Sequence, residues 1–296
     1  GGNHTLSSPH HRLPRQSPPS SWMLRRLSLS ALFCLALATA GPADAACTRA
    51  SLQSAVDRYL AAQGMGDPDS LPLAPQASYA EQNQSADRHK GILTQVLKVD
   101  YHHSLLDVKQ CETFTELAVT NPAHPYVIGT HLKVDDDVIT AISSLITDAD
   151  DWLFHAGNFM KYAIQDDWNV LDREHRRSRE ELIAAANAYL DYFSDKTVKV
   201  PWGKPCRRLE GGLITGKGVL EDTCDVDVPD GVAIVDRHHV VDESRGALAA
   251  LVTFGKNQLP DAHLFRVIDG QIRGIHTITV CKSFNCGFPL PEALQK

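Results

Sequence analysis

The sequence predicts an α+β fold in which two cone-shaped halves, each with a helix packed on a curved antiparallel sheet, form an intrachain pseudo-dimer. A segment that begins at Arg49 recurs at Arg179, with Leu, Ala, Tyr and Leu in register. Each copy is followed by a proline-containing stretch and several strand-like segments. An internal repeat indicates that one structural unit is used twice. A helix followed by consecutive antiparallel strands packs as two layers.

Residues 1–45 are predicted to lie outside the fold, as an upstream extension followed by a signal peptide. Met23 precedes a basic pair, an apolar run covers residues 27–40, and residues 43–45 provide a small-residue cleavage site. This pattern is typical of a secretory leader, and the apolar run is too short to span a bilayer. We therefore expect a protein of the secretory pathway, or a secreted one, with no stable membrane span. An N-terminal anchor helix is the alternative.

The charge of the remaining chain argues against two classes of partner. The sequence has 29 basic and 36 acidic residues, of which residues 1–45 hold four and one, so 25 and 35 remain. An acidic chain of this kind is unsuited to nucleic acid or to an anionic membrane surface. A hydrophobic small molecule is the expected partner, and a homodimer stays open.

Six cysteines follow the leader, and an even number in an exported chain indicates three disulfides. The sequence alone leaves the pairing open. The local pairs are Cys206–Cys224 and Cys281–Cys286, which would leave Cys47–Cys111. A zinc site is the rival interpretation, but no CxxC pair or nearby HxxxH supports it. Asn83 begins a glycosylation sequon, which marks exposed surface in an exported protein.

The first half is assigned to residues 46–150. Its helix has apolar residues at positions 52, 55, 56, 59 and 60, which share one face at helical spacing. A stretch with two prolines follows at 71–75. Strands are then predicted at 91–100, 112–119, 126–134 and 138–147.

A linker at 151–177, with a helix over 157–168, leads to the second half at 178–296. Ser178 and Glu181 form a predicted capping box at the start of its helix. Strands are predicted at 232–241, 247–254, 263–268 and 271–280. Asp-rich or Asp-Gly turns at 135–137 and 269–270 indicate hairpins, because Asp and Gly tolerate positive φ.

Three runs of the second half carry a resemblance to known proteins. They are VPWGKPCRRLEGG at 200–212, PDAH with FR at 260–266, and GQIR with HTITVC at 270–281. The chain resembles a fungal secreted family of unknown function with a duplicated NTF2-like (SnoaL-like) fold. It is also similar to the fungal hetero-Diels–Alderases of tropolone–sesquiterpenoid biosynthesis. The first resemblance implies NTF2-like cones, and the second implies a secondary-metabolism enzyme without a cofactor.

The first candidate for chemistry is the pair Arg208 and Glu210. The sequence contains no GxSxG, phosphate-binding loop or HExxH motif. Strand alternation places both side chains on one face, at the expected pocket mouth. There they can polarise a substrate oxygen and move a proton. A structural ion pair that closes the cone is the alternative.

His276 is the second candidate, because it lies in an apolar stripe with Ile272, Ile278 and Val280. A buried histidine is costly without a partner. It is either a proton carrier near neutral pH or a satisfied core histidine. Arg266 is a candidate donor to a substrate oxygen.

Four residues are expected to form the walls of an apolar pocket, or else to be plain core; these are Trp202, Tyr79, His263 and Phe265. The doublets at 102–103 and 238–239 place adjacent histidines on opposite faces of a strand, so they are not expected to grip one metal. No metal and no cofactor is expected.

The arginines and His276 lack counterparts in the first half, which has Ser143 or Ser144 at the position of His276. Chemistry is therefore expected mainly in the second half, with the first half as a structural partner or a donor of residues across the interface.

The resemblance implies dehydration of a hydroxymethyl tropolone to an o-quinone methide, with Glu210 or His276 as the acid and Arg208 or Arg266 as the hydrogen-bond donor to the tropolone oxygen. Stereocontrolled cycloaddition with a terpene alkene would follow. A secreted, non-catalytic small-molecule-binding protein or effector is the alternative, and a structural interaction protein is a third class.

Overall fold

The computed structural model describes residues 47–295, so the predicted leader lies outside the described range. In the first half, α1 (Arg49–Met65) begins at a capping box between Thr48 and Ser51 and ends at Gly66, whose positive φ suits a glycine. Six strands follow. They are β1 (Leu73–Glu81), β2 (Gln84–Ser85), β3 (Tyr101–Asp107), β4 (Glu112–Val119), β5 (Tyr126–Asp135) and β6 (Val138–Thr147).

The second half repeats this order after the short linker helix α2 (Ala156–Ala163). Its own helix, α3 (Arg179–Tyr192), begins at the predicted capping box of Ser178 and Glu181. The strands are β7 (Trp202–Glu210), β8 (Leu213–Ile214), β9 (Ile234–Asp242), β10 (Ala247–Phe254), β11 (Leu259–Ile268) and β12 (Gln271–Thr279).

The two sheets have the same topology. The first runs β2-β1-β6-β5-β4-β3 and the second β8-β7-β12-β11-β10-β9. One neighbouring pair in each sheet is parallel, β1 with β6 and β7 with β12, and the other pairs are antiparallel. The α+β duplication predicted from the repeat is therefore confirmed.

Each sheet buries one face against its own helix and the other against the opposite sheet. Tyr59 on α1 and Tyr189 on α3 are almost fully buried at equivalent positions. A third apolar core, between the halves, includes Phe114 from one sheet and Ile278 from the other. The sheets approach so closely that a Cβ at Gly129 would lie 3.3 Å from Ile278 Cδ1 of the other sheet. The pseudo-dimer is thus joined through its sheets, as predicted.

Two reciprocal ion pairs follow the same pseudo-symmetry. Arg49 on α1 donates two hydrogen bonds, of 2.7 and 3.0 Å, to Asp242 at the end of β9. Arg179 on α3 donates two of 2.8 Å to Asp107 at the equivalent end of β3. Both carboxylates are fully buried. Each half therefore inserts an arginine into the other, as in an isologous two-fold interface.

Some predicted element boundaries were wrong. Residues 91–100 form a turn of 3-10 helix (Ile92–Thr94) and extended loop rather than a strand. The apolar residues there close the end of α1, where buried Gln63 donates to the carbonyls of Ile92 and Gln95. The proline-containing stretches already enter strands β1 and β7, and α2 ends at Ala163, five residues before the predicted end.

Two β-bulges changed the predicted side-chain faces. The register between β11 and β12 shifts beside Arg266, so Ile272 faces α3 with Ile275 and not the opposite sheet with His276. A matching shift occurs between β5 and β6. The pairing of the strands makes His131 equivalent to Leu264, because each lies opposite the third residue of the preceding strand, Phe114 or Ala249.

The pairing suggested by local spacing is confirmed, with disulfides Cys47–Cys111, Cys206–Cys224 and Cys281–Cys286. Asn83 is exposed at the turn between β1 and β2, a position that a glycan can reach; its glycosylation stays a prediction. Among the described residues, no helix has the length and apolar character needed to cross a membrane.

Candidate active site between the two halves

His276 lies on the face of β12 that packs against the first half, and both of its ring nitrogens contact carboxylates. Nδ1 lies 2.9 and 3.0 Å from the two oxygens of Glu116 on β4. Nε2 lies 2.7 Å from Asp166 in the linker. His276 and Glu116 are buried, whereas the side chain of Asp166 is 33% exposed. The three groups come from the second half, the first half and the linker.

Tyr101 extends this arrangement into the first half. Its hydroxyl donates a 3.1 Å hydrogen bond to Glu116 Oε1. Burial, followed by the charge of Glu116, raises the pKa of the phenol well above its ordinary value, so it stays a donor. A continuous chain Tyr101–Glu116–His276–Asp166 results, which we call the junction relay. Glu116 and His276 in the middle of the relay are buried, whereas Tyr101 and Asp166 at its two ends are partly exposed.

The carboxylates keep His276 protonated. Burial lowers the pKa of this imidazole, but the charge of Glu116 and the hydrogen bonds to Asp166 and Glu116 outweigh burial and raise the pKa to about 10. An imidazolium that donates from both nitrogens satisfies both neighbours. A buried histidine needs a polar partner, and His276 has two, Glu116 and Asp166.

Aromatic rings enclose the imidazolium. Trp168 and Phe159 pack against His276 nearly at right angles, at 5.4 and 5.8 Å between ring centroids. Trp168 also stacks on His103, 4.5 Å away. Burial, then the positive charge of Arg245, lowers the pKa of His103 to about 2, so this ring is neutral beside the charged one. The rings shield the relay from water on this side.

Two cavities share Asp166 and Trp168. One, of about 330 Å³, is also lined by Arg207, Arg266 and His276. The other, of about 530 Å³, lies on the Tyr101 and His103 side. A volume of this order suits a small organic molecule. The exposed end of the relay therefore opens into space that a substrate can fill.

The structure divides the four predicted catalytic residues into two separate pairs, of which only His276 and Arg266 lie at the relay. Arg266 lies in the smaller cavity with His276, and its guanidinium donates to the carbonyls of Asn169 and Arg245. Two further arginines, Arg207 and Arg273, line the same cavity. The cavity thus presents positive charge around the protonated imidazole, which suits an oxygen that carries or develops negative charge.

Arg208 and Glu210 lie on the opposite face of their sheet. Arg208 Nε donates to Glu210 Oε1 at 2.9 Å, so the predicted pair exists. Arg208 also donates to the carbonyl of Cys224 and is buried near Tyr189 of α3. Trp152 Nε1 donates to the other oxygen of Glu210. These contacts fit the alternative in which the pair closes the cone, and its catalytic role stays a prediction.

The four predicted pocket walls lie between helix and sheet. Phe265 and Trp202 surround Tyr189 at 5.6 and 5.9 Å between ring centroids. His263 contacts the same tyrosine ring, and its Nδ1 lies 3.0 Å from Asp261 at angles that do not make a hydrogen bond. In the first half, Tyr79 donates a 2.5 Å hydrogen bond to Glu81. These residues fill the cones, and their contact with a substrate stays a prediction.

Sequence reasoning missed most of the relay. Glu116, Asp166, Trp168 and Tyr101 were not among the candidates. Glu116 offered a usable signal, because a carboxylate in a strand of otherwise buried residues requires a charged or hydrogen-bonding partner. Every residue of β4 is in fact buried.

A second histidine–carboxylate cluster lies further along β4. Glu112 Oε2 is 2.9 Å from His131 Nε2 on β5 and 2.5 Å from His238 Nε2 on β9. Glu112 faces the same way as Glu116, and four residues of strand separate them by about 13 Å. Among the described residues, these three side chains form a group that could hold a metal ion.

Comparison with known proteins adds a partial match. No curated protein matches the chain. A family model described as a domain of unknown function (DUF8021) matches residues 175–279, from just before α3 to the end of β12. The match thus covers the second half, including His276 and Arg266, and it carries no described activity.

Proposed function

We propose that this protein is a cofactor-independent acid–base enzyme whose substrate, a small and largely hydrophobic molecule, binds at Asp166 and His276 between the halves. The observation that carries the proposal is the imidazolium of His276, held between two carboxylates at the wall of a cavity. Strongly shifted groups in a cleft are typical of catalytic sites.

The cavity favours a substrate with an acidic or electron-rich oxygen. Arg266 and Arg207 supply positive charge near the relay, and Trp168 supplies an aromatic wall. A planar ring that carries a hydroxyl and a neighbouring leaving group meets both requirements. The arginines would hold the ring oxygen and stabilise negative charge as it develops.

The reaction that suits these groups is the elimination of water. Asp166 would take the proton of the acidic ring hydroxyl, and the electron pair of that bond would move into the ring. As the carbon–oxygen bond of the hydroxymethyl group breaks, the departing hydroxide receives a proton from the relay. Asp166 would return the proton that it has just taken, which regenerates its carboxylate, while the His276 imidazolium stays protonated and holds Asp166 in position. One water is lost and no oxidant or reductant is required.

The finer hypothesis is a hetero-Diels–Alderase of fungal secondary metabolism. Dehydration of a hydroxymethyl tropolone would give an o-quinone methide, and the cavities would hold it against a terpene alkene. Orientation of two reactants removes a large entropic cost without further chemical groups. The sequence resemblance and the charge of the cavity support this choice. Three disulfides support action in the secretory pathway, since such bonds persist in oxidising compartments.

The second candidate is a secreted protein that binds a small molecule without catalysis. The partial match to a domain of unknown function leaves it open. A binder needs the cavity and its arginines but not the proton relay. A substitution in the relay should therefore lower the reaction rate of an enzyme, whereas in a binder it should change only the affinity for the small molecule.

We expect Asp166→Asn to lower the rate of product formation by about 100- to 10,000-fold, the usual contribution of general acid–base catalysis. The substitution keeps the shape of Asp166 and removes its ability to exchange a proton. Asp167→Asn is the matched control, because Asp167 lines the same cavity and no hydrogen bond joins it to His276. The assay follows consumption of a hydroxymethyl tropolone in the presence of a humulene-type alkene, with product stereochemistry determined by chiral chromatography.

Two outcomes would overturn parts of the proposal. If the wild-type protein neither accelerates this reaction nor changes its stereochemistry, the hetero-Diels–Alderase hypothesis is wrong. If the protein binds the tropolone and Asp166→Asn changes only its affinity, the protein is a binder. Circular dichroism of each variant establishes that a loss of rate does not come from unfolding.

A further inference from the structure

We propose that Glu112, His131 and His238 form a binding site for one divalent transition-metal ion that links the two halves. Both histidines direct Nε2 at the same carboxylate oxygen, at 2.9 and 2.5 Å. The three potential ligand atoms all lie within 4.8 Å of one another. Two ligands come from the first half and one from the second, so the ion would join strands β4, β5 and β9.

The donor set has the chemistry of a transition-metal site. Imidazole nitrogen and carboxylate oxygen bind Zn²⁺ at about 2.0 to 2.2 Å, and two histidines with one carboxylate leave a coordination position open. The 2.5 Å contact between His238 and Glu112 is also shorter than an ordinary hydrogen bond from a nitrogen donor, which lies near 2.7 to 3.2 Å. A shared cation at the centre would replace the competition of the two histidines for one carboxylate oxygen.

The surroundings allow an ion to enter. A cavity of about 400 Å³ is lined by His131, His238 and Asp236. It gives a path from solvent and room for a water in the open position. The side chain of His238 is 39% exposed, so it can adjust to metal–ligand distances, whereas those of Glu112 and His131 are almost fully buried and fixed.

One positive group opposes the ion. Lys133 Nζ lies 3.9 Å from Glu112 Oε1, the oxygen that the histidines do not share. Its side chain is 51% exposed, and exposed ion pairs contribute little, so the ammonium can move into water when the ion binds. Asp236 on the cavity wall partly offsets this charge.

The pseudo-symmetry makes the cluster specific to one side of the interface. His103 is the counterpart of His238, because each lies four residues before the end of its strand. His103 packs on Trp168 near the relay and faces no equivalent pair of ligands. In the second half, the residue equivalent to Glu112 is Ala247, whose side chain has no atom that could bind a metal. The halves have therefore diverged at two positions of β4. Glu112 belongs to the proposed metal site, and Glu116 belongs to the junction relay.

The test is zinc binding by the full chain after treatment with a chelator. Isothermal titration with ZnCl₂ should show one ion per chain, and the melting temperature should rise with zinc concentration, since a ligand that binds only the folded state stabilises it. Cobalt(II) should give visible absorption bands of a low-coordinate nitrogen and oxygen site.

His238→Ala should weaken zinc binding at least about 100-fold, because even the outer partners of metal ligands cost about 10- to 100-fold. The matched control is His239→Ala, whose ring faces α3 and contacts Asn187; it should bind zinc like the wild type. Glu112→Gln tests the carboxylate with little change of shape. The proposal is overturned if the wild type binds no more zinc than His238→Ala, or if His239→Ala loses as much affinity.

Discussion

Replacing Asp107 by asparagine is expected to lower the free energy of unfolding by about 3 to 5 kcal/mol, the usual cost of breaking a buried ion pair. The carboxylate accepts two hydrogen bonds from Arg179 and one from the backbone of Val241 in the other half. Asparagine accepts at only one atom, so the guanidinium loses its charged partner in a nearly dry position. The effect should be large because the pair joins α3 to the opposite sheet.

Urea denaturation at neutral pH measures this change. Asp269→Asn is the control, since Asp269 pairs with His175 at the surface, and no measurable loss is expected there. The double variant Asp107→Leu with Arg179→Met should recover much of the lost stability, because neither charge is then stranded. A loss below about 1 kcal/mol for Asp107→Asn would contradict the interpretation of the interface.

The second large effect is a loss of stability in alkali that depends on His276. The pKa of this histidine is raised in the folded protein to about 10 from an ordinary value of 6.5. A raised pKa contributes stability that is fully present below pH 6.5 and is lost as the pH rises through 10. Between these values, the wild type should lose a few kcal/mol relative to His276→Gln.

Denaturation curves of the wild type and of His276→Gln, recorded at several pH values between 6 and 10.5, test this prediction. The quantity compared is the difference between their free energies of unfolding, in which the contributions of other titrating groups largely cancel. His175→Gln is the control. The pKa of His175 is also raised, by Asp269, but the side chain is exposed, so its pH dependence should be far weaker. Parallel pH profiles for the wild type and His276→Gln would show that the histidine is not held as an imidazolium.

The repeat in the sequence predicted the architecture because a fold imposes the same needs on both copies. Arg49 and Arg179 recur in register, and the structure supplies the reason. Each pairs with an aspartate at the end of a strand in the opposite half. The aspartates themselves lie outside the matched segments, so the sequence could predict the repeated arginine but not its partner.

His276 illustrates how far local reasoning extends. Its place in an apolar stripe required a partner, and strand alternation placed it on one face. Its partners Glu116 and Asp166 are 160 and 110 residues away in the sequence. Only the packing of the two sheets brings them together. No pattern within one strand carries that information.

Arg208 and Glu210 show a different limit of reasoning from one strand. Alternation correctly placed them on one face, and they do form an ion pair. The sequence did not distinguish the face that looks into the cone from the face that meets the other half. Both faces of these sheets are covered, so both have apolar residues. The bulge beside Arg266 adds a register shift that simple alternation does not include.

The functional site that we propose between the halves depends on a protonated His276, held by carboxylates from two parts of the chain. Nuclear magnetic resonance of the ¹⁵N-labelled histidine rings tests it most directly, with His276 assigned by comparison with His276→Gln. Both ring nitrogens of His276 should carry protons at pH 8, and the ring should titrate near pH 10. A neutral ring at pH 8, or titration near 6.5, would contradict the proposal.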